Sequence, residues 1–138
     1  YNYIIMFSLY FDGASRGNPG PSSLGGVIYD SSKEEKINYK KSIGIATNNY
    51  AEYQALLVGI KVCIKYDIKE VNVYGDSKLV IEQVKGNWKV KSDNLKPMHT
   101  EITKFITPEF FKKITFNHVR RHLNKRADEL ANIALDNA

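Results

Sequence analysis

The chain has 138 residues, the size of one ordinary domain, and its 43% hydrophobic and 25% charged residues are typical of a folded globular protein. The formal net charge of +5 is compatible with a polyanionic partner. Its one cysteine, Cys63, excludes an internal disulfide framework and a zinc site built on cysteines, and no apolar run approaches the ~20 residues of a membrane span. Because no basic region precedes the N-terminal apolar stretch, we interpret it as a strand rather than a secretion signal, and expect an intracellular protein of the cytoplasm, nucleus or a viral factory.

Hydrophobic periodicity and turn residues predict five strands and four helices in a mixed order. In chain order these are strands at 3–11, 24–29 and 36–45, a helix at 47–66, a strand at 71–74, a helix at 78–85, a helix capped by Ser92-Asp93, a strand at 114–119 and a helix starting near Ala127. The short loops between the first three strands favour an antiparallel meander. We therefore predict a single α/β domain over residues 1–138.

A glycine-rich segment follows the first predicted strand and gives Asp12 a distinctive setting. Residues 10–20 read Tyr-Phe-Asp-Gly-Ala-Ser-Arg-Gly-Asn-Pro-Gly, so that Asp12 ends the strand beside a turn with little side-chain bulk. Glycines let a large anion approach the backbone, and free N–H groups in such turns can hold phosphate. A metal ion that meets a polyanion suits this setting. The alternative is a hairpin turn in which Asp12 only caps the loop.

Three further acids lie at the ends of predicted elements. Glu52 is expected in the first turn of its helix on the inward-facing stripe, Asp76 follows the strand at 71–74, and Asp128 begins the last helix. Each has a structural alternative, because an acid at a helix start can cap the helix or oppose nearby arginines. Carboxylates gathered in one pocket raise one another's pKa unless cations are present. Mg²⁺ is the usual solution, and two such ions can hydrolyse a phosphodiester.

Trp88 lies in a loop between lysines, in the run Gly-Asn-Trp-Lys-Val-Lys at 86–91. This arrangement allows the indole to stack on a base or ribose while the lysines meet phosphates. A half-buried aromatic that covers the helix ends is the favoured alternative.

Four segments together resemble the type 1 ribonuclease H family over almost the whole chain. They read Tyr-Phe-Asp-Gly-Ala-Ser-Arg-Gly-Asn-Pro-Gly-Pro at 10–21, Thr-Asn-Asn-Tyr-Ala-Glu-Tyr-Gln-Ala-Leu at 47–56, Tyr-Gly-Asp-Ser at 74–77 and Asn-Lys-Arg-Ala-Asp-Glu-Leu-Ala at 124–131. The resemblance implies a ribonuclease H-like fold: a five-stranded mixed sheet, with three antiparallel strands and then two parallel ones, flanked by helices. It also implies cleavage of the RNA strand of an RNA–DNA hybrid, which leaves 3′-hydroxyl and 5′-phosphate ends.

The resemblance further implies a set of site residues and cofactors. The metal-binding catalytic carboxylates would be Asp12, Glu52, Asp76 and Asp128, with two Mg²⁺ ions per site or Mn²⁺ in their place. Contacts to nucleic acid are expected at Gly13, Asn18, Thr47, Asn48, Asn49, Lys78, Trp88, Lys89, Arg121 and Asn124. Ribose 2′-hydroxyls, which distinguish RNA from DNA, would be read near Gly13 and Glu52. We expect a monomer without a small-molecule cofactor or a membrane partner.

The chain departs from better-known bacterial members of this family at three places. It lacks the extra basic helix and loop after the helix at 78–85, so it is similar to the compact form of the family. The loop before Asp128 is several residues shorter, and His122 is its only candidate for the histidine that assists catalysis in many members. Lys78 stands where some relatives have glutamine, which favours a phosphate contact at that position.

Two other functions are compatible with this fold. One is a nuclease that acts on double-stranded RNA, and the other is a nucleic-acid-binding domain without catalysis. The presence of all four carboxylates and of the Thr-Asn-Asn segment favours cleavage of the hybrid.

Overall fold

The computed structural model describes residues 6–138, so the start of the predicted first strand, residues 3–5, lies outside the described residues. The elements are β1 (Phe7–Ser15), β2 (Gly20–Tyr29), β3 (Glu35–Ala46), α1 (Asn48–Lys65), β4 (Glu70–Gly75), α2 (Lys78–Val84), α3 (Lys96–Phe105), β5 (Lys113–His118), a 3-10 turn (Arg121–Leu123) and α4 (Lys125–Asp136). This succession of strands and helices is the one that the periodicity predicts.

The five strands form one sheet in the order β3-β2-β1-β4-β5. β1 and β2 are antiparallel, as are β2 and β3, whereas β4 is parallel to both β1 and β5. The predicted mixed sheet is therefore confirmed. Because β1 is the central strand and β4 is its parallel neighbour, side chains at the carboxyl ends of these two strands lie next to each other.

Strands β1 and β2 are longer at their shared end than the sequence predicts. β1 does not end at Asp12 but runs to Ser15, and β2 begins at Gly20 rather than Leu24. The four residues from Asp12 to Ser15 pair with residues 22–25 of β2. Glycine and serine have low strand propensity, but cross-strand pairing in the sheet overrides that preference here.

The two faces of β1 pack against different helices. Leu9 and Phe11 are fully buried in the hydrophobic core on the α1 side, where Leu9 lies against Gly59 of that helix. Asp12 pairs with Gly25 of β2, and a Cβ atom at Gly25 would lie 2.5 Å from the backbone nitrogen of Ala131 in α4. Residues of β1 alternate between faces, so Asp12 lies on the side of the sheet that α4 covers.

The connection between α2 and α3 is short. Within the described residues no helix lies between Val84 and Lys96, which agrees with the compact form. The expected Ser92-Asp93 cap of α3 is wrong, because the N-cap residue is Leu95 and makes no side-chain capping bond. Asp93 pairs instead with Lys96, at 3.0 Å between the carboxylate oxygen and Nζ.

Candidate active site

Asp12 supplies the central carboxylate of the site. It lies within β1 rather than at the strand end, and only 4% of its surface is exposed. Pairing on both sides of β1 fixes the backbone up to this residue, since β4 pairs as far as Phe11 and β2 continues beyond it. The carboxylate therefore emerges where the parallel partner ends and a gap opens in the sheet.

Glu52 approaches Asp12 from α1. The helix begins at Asn48 after the Thr47 cap, so Glu52 lies in the second turn and not in the first as predicted. Its Oε1 accepts a hydrogen bond from the backbone N–H of Gly13 at 2.6 Å, and its Oε2 is buried without a partner among the described residues. This bond crosses from helix to sheet, which excludes the alternative that Glu52 caps its own helix.

The close approach of α1 to β1 requires glycine at position 13. A Cβ atom there would lie 2.4 Å from the backbone carbonyl carbon of Ala51 and from the nitrogen of Glu52. Real Cβ atoms do not come this close to backbone atoms, so any larger residue would push the helix away from the sheet. The Asp-Gly pair thus sets the separation between the first two carboxylates.

Asp76 follows β4, and Ser77 rather than Asp76 caps α2. The hydroxyl of Ser77 accepts the N–H of Val80 at 3.4 Å, which leaves the Asp76 carboxylate available for the site. One oxygen each from Asp12, Glu52 and Asp76 lies within 4.8 Å of the others. Three carboxylates in this arrangement have the donor type and spacing that a hard divalent cation prefers.

Asp128 is the fourth acid and lies in the first turn of α4, as predicted. Together with the other three it lines an open cavity of about 460 Å³. Asn132, one turn further along, donates through Nδ2 to the Asp128 carboxylate at 3.2 Å, and the guanidinium of Arg121 lies 3.8 Å from it. The sequence reasoning missed Asn132, although its i, i+4 spacing from Asp128 places the two on one helix face.

Burial and like charges make this cluster unfavourable in its ionised, metal-free state. Burial raises the pKa of Asp12 strongly, and the charges of Glu52 and Asp76 add to the shift. Burial also raises the pKa of Glu52, to about 7, although hydrogen bonds from its surroundings act in the opposite direction. A cation would remove this penalty and would give the unpartnered Oε2 of Glu52 a ligand, so the residues present fit a divalent metal.

The amides that the sequence analysis assigned to nucleic acid border the same cavity. Asn48 and Asn49 are exposed at its rim together with Gly13, whose N–H is already committed to Glu52. Asn18 reaches this rim from the loop between β1 and β2, where its Oδ1 accepts the backbone N–H of Asn48 at 3.0 Å. Thr47 caps α1 by accepting the N–H of Tyr50, so its hydroxyl has a structural partner.

The basic 3-10 turn after β5 contributes an arginine to the cavity rather than a histidine. Arg121 lines the cavity, whereas His122 is exposed and is absent from its lining. Arg121 and His122 are adjacent in sequence, but successive side chains of a 3-10 turn point in different directions. The catalytic role that we expected for His122 therefore stays a prediction, without a contact to the described acids.

A second groove begins next to the acidic cavity and contains the predicted aromatic residue. Trp88 is 45% exposed, which agrees with a half-buried aromatic and also leaves part of the indole open to solvent. It lines a groove of about 600 Å³ with Lys89 and Lys91, and Asn49 borders both this groove and the acidic cavity. The ammonium of Lys78 lies 6.0 Å from the centre of the indole ring.

The structure corrects the prediction that the Asn124 side chain contacts nucleic acid. Asn124 is only 1% exposed, and its amide donates to protein acceptors, one of which is Asp76. Its place is therefore beneath the acidic cavity and not on its rim.

Among residues 6–138, no helix is both long and apolar enough to cross a membrane.

Comparison with protein families and curated proteins finds relatives of this chain. The family described as "Reverse transcriptase-like" matches residues 10–134. A "Bifunctional protein" of Mycobacterium tuberculosis is 41% identical over 128 residues, which are 92% of this chain and 35% of that protein. The chain thus spans about a third of the length of its mycobacterial relatives. A "Ribonuclease H" of Trichodesmium erythraeum is 30% identical over 90% of this chain and 85% of its own length.

Solved structures show the same architecture. Ribonuclease H1 of the archaeon Halobacterium salinarum superimposes with a TM-score of 0.91 at 37% identity, over 96% of this chain and 99% of that one. LC11-RNase H1, solved in complex with an RNA/DNA hybrid, gives a TM-score of 0.87 at 35% identity, over 97% and 98% of the two chains.

Proposed function

The chain belongs to the type 1 ribonuclease H family, and from this we propose that it is a metal-dependent endonuclease that cleaves the RNA strand of RNA–DNA hybrids. The observation that carries the proposal is the set of three carboxylate oxygens within 4.8 Å of one another, at the base of a cavity open to solvent. The products would carry 3′-hydroxyl and 5′-phosphate ends.

The acids would hold two Mg²⁺ ions, or Mn²⁺ in their place. Bound divalent ions supply an activated water and stabilise the leaving oxygen of a phosphodiester. Asp12 is the least exposed of the four acids and would be shared by both ions, while Asp76 and Asp128, which line the same cavity, would each hold one of them. Glu52 would contribute its unpartnered Oε2 and keep its Oε1 on the N–H of Gly13.

The exposed amides on one side of the cavity would bind the RNA strand. Asn48 and Asn49 project from the first turn of α1, where the positive end of the helix favours phosphate and hydroxyl oxygens. Asn18 lies beside them and fixes the loop to the start of the helix. This rim is where the chain would read 2′-hydroxyls and so distinguish RNA from DNA.

The groove around Trp88 would bind the DNA strand. An exposed indole can stack on a base or sugar, and Lys89, Lys91 and Lys78 are placed to contact phosphates. Arg121 would contact the scissile phosphate, because its guanidinium is mostly exposed and lies at the acidic cavity. The two grooves meet at Asn49, which allows one duplex to occupy both.

A cleavage assay on four end-labelled substrates of one sequence tests the proposal. The substrates are RNA–DNA, RNA–RNA, DNA–DNA and single-stranded RNA, each with Mg²⁺, with Mn²⁺ and with chelator. We expect metal-dependent cleavage confined to the RNA of the hybrid, lost in Asp12→Asn and retained in Asp93→Asn, an exposed acid away from the site. Cleavage of RNA–RNA as well would widen the substrate class, and binding without cleavage would reject the nuclease.

A further inference from the structure

Asn124 is the N-cap residue of α4, yet its side chain does not cap that helix. An asparagine at an N-cap normally accepts a hydrogen bond from the first turn of its own helix. Here no such bond is present, and the side chain is turned inward and buried to 1% exposure. Loss of a favourable cap indicates that the side chain is engaged elsewhere.

The Asn124 amide nitrogen uses both of its hydrogens on the acidic site. Nδ2 donates to the backbone carbonyl of Phe11 at 2.9 Å and to Oδ2 of Asp76 at 3.2 Å. The Phe11 carbonyl belongs to the peptide bond that joins it to Asp12. One amide group thus ties the central strand, immediately before the first carboxylate, to the side chain of the third.

The backbone of the same residue reaches a further acid. The carbonyl oxygen of Asn124 accepts the backbone N–H of Asp128 at 3.2 Å, within the first turn of α4. Asn124 therefore contacts the peptide next to Asp12, the side chain of Asp76 and the backbone of Asp128. These three acids come from β1, from the end of β4 and from α4, and these elements are far apart in the sequence.

The orientation of the amide is determined by its surroundings. If the group were reversed, its Oδ1 would face a carbonyl and a carboxylate, and three acceptors would meet without a donor between them. In the observed orientation Oδ1 is buried and has no partner among the described residues. An unsatisfied buried oxygen is costly, so the two bonds made by Nδ2 must outweigh that cost.

We propose that Asn124 is a positioning residue that holds Asp76 in its metal-binding orientation and aligns it with Asp12 and Asp128. The inference rests on the proposed function, because it concerns the same site. The bond to Oδ2 restrains the Asp76 carboxylate against the repulsion of its neighbours, one oxygen of each of which lies within 4.8 Å of an oxygen of Asp76. Groups that orient metal-binding carboxylates in this way contribute about 10- to 100-fold to metal affinity or activity.

The test measures metal binding directly, by calorimetric titration of Mn²⁺ into the protein without nucleic acid. Asn124→Leu keeps the branched shape and the number of heavy atoms and removes both bonds, and Asn124→Ala is the smaller variant should the bulkier leucine disturb the fold. We expect each to weaken Mn²⁺ binding about 10- to 100-fold. The matched control is Asn117→Leu, which also removes two amide bonds, to Val73 and Thr115 on β4 and β5, but none to an acid.

Hybrid cleavage by the same variants gives the second measurement. We expect a lower kcat that recovers in part at high Mn²⁺, with an unchanged KM for the hybrid. In an Asp76→Asn background the Asn124 substitutions should change Mn²⁺ affinity much less than in the wild-type background, because only the bond to the Phe11 carbonyl is then lost. Wild-type Mn²⁺ affinity with a raised KM would overturn the proposal and restore a direct substrate contact. Absence of cleavage by the wild-type protein would reject the proposed nuclease, while the titration would still decide the role of Asn124.

Discussion

The buried carboxylate of Glu52 should make the metal-free protein less stable as the pH rises. Burial raises its pKa from 4.5 to about 7, so folding favours the protonated form. For an acid whose pKa is higher in the folded state, the stabilising contribution is fully present below the unfolded pKa. It is lost as the pH rises through the folded value. The perturbation that isolates this effect is Glu52→Gln, which removes the charge and retains an oxygen for the N–H of Gly13.

The expected size follows from these two pKa values. Between about pH 5 and pH 8 the free energy of unfolding should fall by about 2 kcal/mol on account of Glu52 alone. For a domain of this length that corresponds to roughly 5–10 °C in Tm. Only 7% of the side chain is exposed, so solvent screens the effect little.

Thermal unfolding followed by circular dichroism, in chelator at both pH values, provides the measurement. The Tm of the wild-type protein should fall by roughly 5–10 °C more than that of Glu52→Gln, because the variant has no group to ionise at that position. Saturating Mg²⁺ should remove the difference, since a bound cation favours the ionised form. If the Tm of the two proteins in chelator depended equally on pH, ionisation of Glu52 would not destabilise the metal-free fold. That result would refute the reasoning.

Three further predictions concern the parts around the cluster. Gly13→Ala should displace α1 and with it Glu52. We expect hybrid cleavage to fall by about 100-fold or more, measured by steady-state kinetics. The fold should lose about 1–3 kcal/mol of stability, measured by chemical denaturation. Gln83→Leu should raise KM several-fold and leave kcat unchanged in steady-state assays, because its side chain donates to the carbonyl of Lys89 and so holds the loop after α2. Arg121→Ala should weaken hybrid binding and reduce the slope of log affinity against log salt by about one, while His122→Ala changes neither; salt titrations that moved both equally would contradict this difference.

The order of elements and the mixed sheet follow from sequence because long periodic segments dominate them. The ends of β1 and β2 near Asp12 do not follow from the sequence, because the residues from Gly13 to Ser15 are typical of a turn when they are considered alone. Their strand geometry comes from pairing with β2, which no local pattern shows. The small side chains that suggested a turn serve instead to let helices approach the sheet, as at Gly13 and Gly25.

The four acids of the site could be predicted from the sequence, but the residues that position them could not. Glu52 and Asp128 lie on helix faces whose periodicity places them inward. The inward turn of Asn124 is invisible in the sequence, because an asparagine before a helix predicts an ordinary cap. The separation of Arg121 from His122 likewise depends on a single 3-10 turn, which is too short to leave a periodic signal.

The packing of α4 on β2 also has a consequence during synthesis of the chain. Asp128 reaches the cavity only when Gly25 and Ala131 are in contact, so residues more than a hundred positions apart must meet before the fourth acid is in place. Such distant pairings form late, because the intervening chain must be ordered first. A nascent chain that has not yet released α4 from the ribosome would therefore hold three acids and lack the fourth.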